Sequence, residues 1–101
     1  MAMEIGSIRH KELRRFFETG NMKGLDARIV GRLRNMFSFL IAISTVEELL
    51  TPPNFGAHEL KGDRAGIWSL TVTKNWRMTF RLDARAGAGL AIEDMDLEDY
   101  H

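Results

Sequence analysis

Two short stretches of the sequence hold the side chains best suited to proton transfer. H-E-L-K-G-D-R, at residues 58–64, combines an imidazole with two cations, and E-D-Y-H, at residues 98–101, combines carboxylates, a phenol and an imidazole. Histidine exchanges protons near neutral pH because its unperturbed pKa is about 6.5. The acid–base candidates in these stretches are His58, Asp99, Tyr100 and His101.

Cleavage of an RNA backbone needs this combination of groups. A base takes the proton from the ribose 2′-OH, an acid protonates the leaving 5′-oxygen, and cations stabilise the charge that develops on phosphorus. The requirement for a 2′-OH restricts such chemistry to RNA. The spacing alone leaves a second interpretation open, in which the first stretch is a polar loop that leads into a strand.

The sequence does not indicate a metal centre. Its three histidines, His10, His58 and His101, lie far apart, and there is no cysteine. Neither feature matches the ligand spacing of known zinc sites. We therefore expect no metal and no cofactor, and we interpret His10 as a surface or capping residue that precedes a helix.

Length and composition indicate one soluble domain spanning residues 1–101. The chain is 45% hydrophobic and 28% charged, with a net charge of zero, as in globular proteins. No apolar run approaches the roughly 18 residues of a membrane span, and the first residues do not resemble a signal peptide, so we expect a cytoplasmic protein. Residues 93–99 hold five acids and no base, which leaves 14 bases against nine acids elsewhere.

The first half of the chain shows helical periodicity. Apolar residues recur at helical spacing over Lys11 to Thr19 and from Ile29 to Ile41, where Asp26 is a suitable N-cap. Val46 to Leu50 predicts one further helical turn, and Glu4 to Arg9 predicts a short first strand. The first helix is predicted to carry Leu13, Phe16 and Phe17 on one face.

After the prolines the apolar period becomes two. Residues 67–73 and 76–82 alternate and are joined by Lys74-Asn75, which predicts a β-hairpin. A last strand starts at Leu90, and its apolar phase shifts near Glu93-Asp94, which predicts a bulge.

Together these elements predict an α+β fold. Two N-terminal helices would pack on one face of a mainly antiparallel sheet, in the order β-α-α-β-β-β. The opposite face would carry Arg77 and Arg81, and we expect that face to be basic. The apolar face of the hairpin would consist of Trp68, Leu70, Val72, Trp76, Met78, Phe80 and Leu82.

Three separated stretches resemble the HigB toxins of bacterial type II toxin–antitoxin systems, in the RelE/ParE superfamily. R-H-K-E-L-R-R-F-F-E-T-G at residues 9–20 resembles their first-helix segment. Residues 58–80, with K-G-D-R and N-W-R-M-T-F, resemble their central signature, and D-L-E-D-Y-H at residues 96–101 resembles their C-terminal signature. The resemblance runs in order along nearly the whole chain and implies a RelE-like fold.

The resemblance also implies a function and partners. HigB toxins, also called plasmid maintenance killer proteins, cleave mRNA on the ribosome and so inhibit translation and growth. The implied partners are a HigA-like helix-turn-helix antitoxin, the ribosome and mRNA. Contact with operator DNA would occur only through the antitoxin complex, and no membrane is implied.

The family's catalytic positions match both stretches described above. They correspond to His58, Asp99, Tyr100 and His101. Our hypothesis makes His58 one proton-transfer partner and His101 or Tyr100 the other, with Asp99 orienting an imidazole or stabilising its charge.

The substrate-binding predictions follow basic positions of the same family pattern. Lys61 and Arg77 are predicted to bind the scissile phosphate. Arg64 and Arg81 are further candidates, although Arg81 fits a solvated strand residue equally well. The chain departs from the family in its neutral charge, in the longer turn at residues 83–89, and in Glu59, which stands where the family often has proline.

Two other functions fit the same fold. One is a non-nuclease toxin, like the ParE branch that poisons DNA gyrase, which would need no acid–base groups. The other is an inactive toxin that survives as an antitoxin-binding co-repressor. Both are disfavoured because the chain retains the signature residues of the nuclease.

Overall fold

A computed structural model describes residues 3–85 and 89–99 of the chain. Within them the chain forms three helices, five strands and a single 3₁₀ turn at Gly62–Arg64. The helices are α1 (Lys11–Thr19), α2 (Ala27–Ala42) and α3 (Val46–Leu50). The strands are β1 (Glu4–Ile5), β2 (His58–Glu59), β3 (Ile67–Thr71), β4 (Trp76–Arg85) and β5 (Gly89–Asp99).

Helix α1 is fixed at both ends by local hydrogen bonds. The His10 Nδ1 atom accepts a hydrogen bond from the Leu13 amide at 3.1 Å, so the predicted capping role of His10 is confirmed. Gly20 ends the helix at φ 78°, a left-handed conformation that suits glycine. Phe17, predicted on the same helix face as Leu13 and Phe16, is 38% exposed. Its ring packs against that of Phe37, 4.8 Å between ring centroids.

Helices α2 and α3 confirm the predicted boundaries closely. The Asp26 carboxylate accepts a hydrogen bond from the Arg28 amide at 2.9 Å. The apolar stripe of α2 is buried except at Ile41, which is 47% exposed. The Thr45 hydroxyl caps α3 by accepting from the Glu48 amide at 3.2 Å. Leu49, in the second half of α3, is completely buried.

The five strands form one mixed sheet in the order β1-β5-β4-β3-β2. β1 runs parallel to β5, and the other neighbours are antiparallel. The predicted order β-α-α-β-β-β lacks two of these elements. It did not count α3 as a separate helix, and it did not include β2. A two-residue strand is too short to show alternation, because it shows each face only once.

One hydrophobic cluster joins the helices to one face of the sheet. The predicted hairpin pairing is confirmed, with Trp68 opposite Phe80 and Leu70 opposite Met78. Trp76 and Leu82 are only half-buried at the margin of this cluster.

The predicted bulge in the last strand is confirmed. Pairing between β4 and β5 shifts register between Thr79 and Arg81, and Asp94 has a φ of 55°. The extra residue allows Ile92 and Met95 to be buried on the same side although they are three positions apart. No helix in residues 3–85 or 89–99 is long and apolar enough to cross a membrane.

Candidate active site

The imidazole of His58 lies on the sheet face opposite the hydrophobic cluster, which we call the polar face. His58 pairs with Ser69 of β3, Ser69 pairs with Thr79 of β4, and Thr79 pairs with Asp96 of β5. Directly paired residues share a face of a sheet. His58 therefore stands at the edge of a row of polar side chains that crosses four strands.

The local geometry of His58 selects one tautomer. Its Nδ1 atom lies 3.0 Å from the carbonyl oxygen of Gly56. A carbonyl oxygen only accepts, so Nδ1 must carry the proton in this hydrogen bond and the neutral ring keeps Nε2 as an acceptor. The side chain is exposed, so Nε2 is accessible to a substrate proton.

The loop between β2 and β3, residues 60–66, carries the next candidates. At its base the Leu60 amide donates to the Ile67 carbonyl at 2.8 Å, and the Gly66 amide donates to Glu59 Oε2 at 3.1 Å. Lys61 precedes the 3₁₀ turn in this loop and is exposed. A fixed loop with an exposed cation can hold that cation beside the polar face.

Arg64, at the end of the same turn, forms a bidentate ion pair with Glu98 of β5. Its two terminal nitrogens lie 2.9 and 2.6 Å from the two carboxylate oxygens. The Thr79 hydroxyl also donates to this carboxylate. The hydrogen bonds from Arg64, then that from Thr79, and the charges of Arg64 and Arg9 lower the pKa of Glu98, although partial burial opposes the shift.

Arg77 and Arg81 occupy β4, and their guanidinium groups are engaged within the protein. Arg77 Nη1 donates to the backbone carbonyl of Thr73 at 2.7 Å, at the turn between β3 and β4. Arg81 pairs with Asp94 at 2.8 Å and with Asp83 at 3.1 Å. These carboxylates raise the pKa of Arg81 above its usual value.

The expectation of a basic polar face is therefore wrong in part. Arg64 and Arg81 are both matched by carboxylates that lie nearby, at Glu98, Asp83 and Asp94. The acidic segment at residues 93–99 pairs antiparallel with β4, so its charges offset those of the arginines. The described residues contain no group of three or more side chains that could hold a metal ion.

Comparison with known proteins assigns the chain to a family. Residues 6–98 match the family model of the HigB-like toxins, described as RelE-like toxins of type II toxin–antitoxin systems. The chain is a HigB-like toxin. The match spans nearly the whole chain, so it confirms the predicted family and the RelE-like α+β fold, and it implies that an antitoxin is a partner.

A curated relative agrees with this assignment. The chain is 39% identical over 99 residues to Endoribonuclease HigB of Proteus vulgaris, covering 96% of this chain and 99% of that protein. The solved structure of a YoeB/ParE toxin from Agrobacterium tumefaciens is also similar, with 21% identity, a TM-score of 0.49, and coverage of 100% and 99% of the two chains.

Of the three C-terminal candidates in this HigB-like toxin, the structure describes only Asp99. Asp99 ends β5 opposite Trp76 and is exposed. Strand alternation puts it on the face opposite that of Glu98. Tyr100 and His101 lie outside the described residues, so their part in the site stays a prediction.

Sequence reasoning missed Glu98 and Thr79, which lie at the centre of the polar face. Glu98 pairs with Arg77 and is two residues from Asp96, which pairs with Thr79. The period of two places Arg77 with Thr79 on one face of β4, and Asp96 with Glu98 on one face of β5. Only the pairing register of the two strands shows that these two faces are the same face of the sheet. The bulge hides that register because it interrupts the alternation of β5.

Proposed function

We propose that this HigB-like toxin is a ribosome-dependent mRNA endoribonuclease that inhibits translation and growth. The observation that carries the proposal is the 39% identity to Endoribonuclease HigB over nearly the full length of both proteins. The position of His58 supports it, because an accessible Nε2 acceptor is what a general base needs.

The proposed reaction is attack by a ribose 2′-oxygen on the adjacent phosphate. A base removes the 2′-proton, the bond from the 2′-oxygen to phosphorus forms, and the bond from phosphorus to the 5′-oxygen breaks. An acid returns a proton to that 5′-oxygen, which leaves a 2′,3′-cyclic phosphate and a free 5′-hydroxyl. The neutral tautomer of His58 fits the base.

The remaining roles are proposed from the family positions. Tyr100 or His101 would be the acid, and Asp99 would orient or charge-stabilise an imidazole. Lys61 and Arg77 would contact the scissile phosphate, although Arg77 would do so while holding the turn carbonyl of Thr73. The ion pairs of Arg81 make it a weaker phosphate ligand, since two carboxylates already offset its charge.

The proposed partners are a HigA-like helix-turn-helix antitoxin, the ribosome and mRNA, all in the cytoplasm. Operator DNA would be contacted only through the antitoxin complex. The neutral net charge gives little nonspecific attraction to RNA. Positioning by the ribosome would compensate for this, because it brings the message to the toxin.

Induction of the toxin without antitoxin, followed by mapping of mRNA 5′ ends, tests the proposal. We expect growth arrest and new 5′ ends phased with codons. Purified toxin should cut mRNA on programmed ribosomes and leave free mRNA intact. Arrest with DNA damage and intact message would instead indicate a gyrase poison, and absence of arrest would indicate an inactive co-repressor.

A further inference from the structure

We propose that the Arg64–Glu98 ion pair is a clasp that fixes the loop at residues 60–66 against the polar face, and that Arg64 is a positioning residue. The proposal rests on the proposed function, because it assigns the clasp to the RNA-cleaving site. It differs from the prediction that Arg64 itself binds the scissile phosphate.

The clasp joins two parts of the sheet that are far apart in sequence. Arg64 follows β2, at one edge of the sheet, while Glu98 lies on β5, beyond β3 and β4. The base of the loop is closed by the bonds of Leu60 and Gly66. The Arg64–Glu98 pair holds its other side, so three separate contacts determine where the loop stands.

Two polar residues of this face are buried, and one of them, Thr79, donates to the carboxylate of the clasp. Thr79 is only 2% exposed and Ser69 only 1%, although both lie on this face. The side chain of Glu98 is 25% exposed and that of Arg64 is 44% exposed. A charged pair that is partly removed from solvent is screened less than one at the surface.

Phosphate binding by Arg64 is disfavoured by this arrangement. Both terminal nitrogens of Arg64 already donate to Glu98, and charge-assisted bidentate pairs are among the stronger hydrogen bonds in proteins. A phosphate at the same guanidinium would also lie beside the negative charge of Glu98. Lys61, by contrast, is exposed in the same loop and is placed to contact the phosphate once the clasp has fixed the loop.

The decisive experiment neutralises Arg64 and Glu98 one at a time and then swaps the two residues. Glu98→Gln and Arg64→Gln should each lower the turnover of mRNA cleavage on programmed ribosomes by about 10–100-fold with little change in KM, because a displaced loop still carries the charge of Lys61 but no longer aligns it with the scissile phosphate. The exchanged pair Arg64→Glu with Glu98→Arg should recover most of this loss. Asp26→Asn is the control, because it breaks an exposed ion pair with Arg28 and keeps a good N-cap.

A direct phosphate role for Arg64 gives the opposite pattern. Arg64→Gln would then raise KM, Glu98→Gln would leave cleavage unchanged or increase it, and the exchanged pair would stay inactive. Any of these three results would overturn the clasp.

A second measurement separates the clasp from the proposed function. Hydrogen exchange of the Leu60 and Gly66 amides should accelerate at least severalfold in Glu98→Gln and not in Asp26→Asn. Unchanged exchange would overturn the clasp whether or not the toxin cuts RNA. Failure of the unaltered toxin to cut message, with the exchange changed as expected, would overturn the proposed function alone.

Discussion

His58 lies directly across from Ser69 in the pairing of β2 with β3, and this single pairing sets the imidazole on the polar face of the sheet. A shift of one residue would turn the imidazole toward the opposite face, because side chains alternate along a strand. The carbonyl of Gly56 then fixes the ring through Nδ1. Position and tautomer together leave Nε2 available as a base.

Substitution of His58 by alanine should reduce cleavage of ribosome-bound mRNA by about 10²–10⁴-fold, the usual range for losing a general base. Folding and antitoxin binding should persist, since the side chain is exposed. Single-turnover cleavage assays and calorimetric titration with the antitoxin measure the two effects. His10→Asn is a suitable control, because it removes another histidine but retains a capping side chain. Full cleavage by His58→Ala would contradict the assignment.

Removal of Tyr100 and His101 should leave a folded, antitoxin-binding protein with little or no nuclease activity. The β4–β5 pairing extends to Trp76 and Asp99, and the buried residues of β5 end at Leu97, so the truncation spares the hydrophobic cluster. Thermal unfolding, antitoxin pull-down and cleavage are measured on the same sample. Retained cleavage would place the acid elsewhere in the site.

Lys61→Ala should weaken binding of the toxin to its RNA substrate and reduce the slope of log affinity against log salt by about one, as expected for one lost phosphate contact. The residue is exposed, so stability should change little. Lys74→Ala, at the turn between β3 and β4, is the control for the loss of a single surface lysine. An equal effect of both substitutions would show that RNA affinity depends only on the net charge of the toxin, and not on a specific contact of Lys61.

The sequence predicted some parts of the fold and of the site and not others, for physical reasons. Local features were accessible: the N-cap at Asp26, the alternation of β3 and β4, and the phase shift that marks the bulge at Asp94. Nonlocal charge pairing was not accessible. The prediction of a basic face treated the arginines of β4 separately from the acids of residues 93–99, and only the register of β5 shows that the two sets face each other.

Two adjacent leucines of α3 test the packing of the helical layer. Leu49 is 0% exposed and Leu50 is 50% exposed, so the pair differs in burial within one helix. Leu49→Ala should lower the free energy of unfolding by about 2–5 kcal/mol because it leaves a cavity. Leu50→Ala should change it by less than about 0.5 kcal/mol. Urea unfolding measures both, and equal losses would contradict the described packing.

The Glu98 carboxylate gives a pH dependence whose sign follows from its environment. Arg64 and Thr79 lower its pKa below the usual 4.5, so folding favours the charged form. The contribution to stability is therefore complete above the unfolded-state pKa and is lost as pH falls through the lower pKa of the folded protein.

Comparison of the unaltered toxin with Glu98→Gln isolates this contribution from the other carboxylates. The unaltered toxin should be more stable at about pH 7, and the difference between the two proteins should shrink as the pH falls toward about 3. Urea unfolding across this range measures the difference directly. A gap that stays constant with pH would show that the carboxylate is not stabilised by Arg64 in the folded state. The contribution of Glu98 to stability would then come only from hydrogen bonds, which the neutral amide of glutamine can also form.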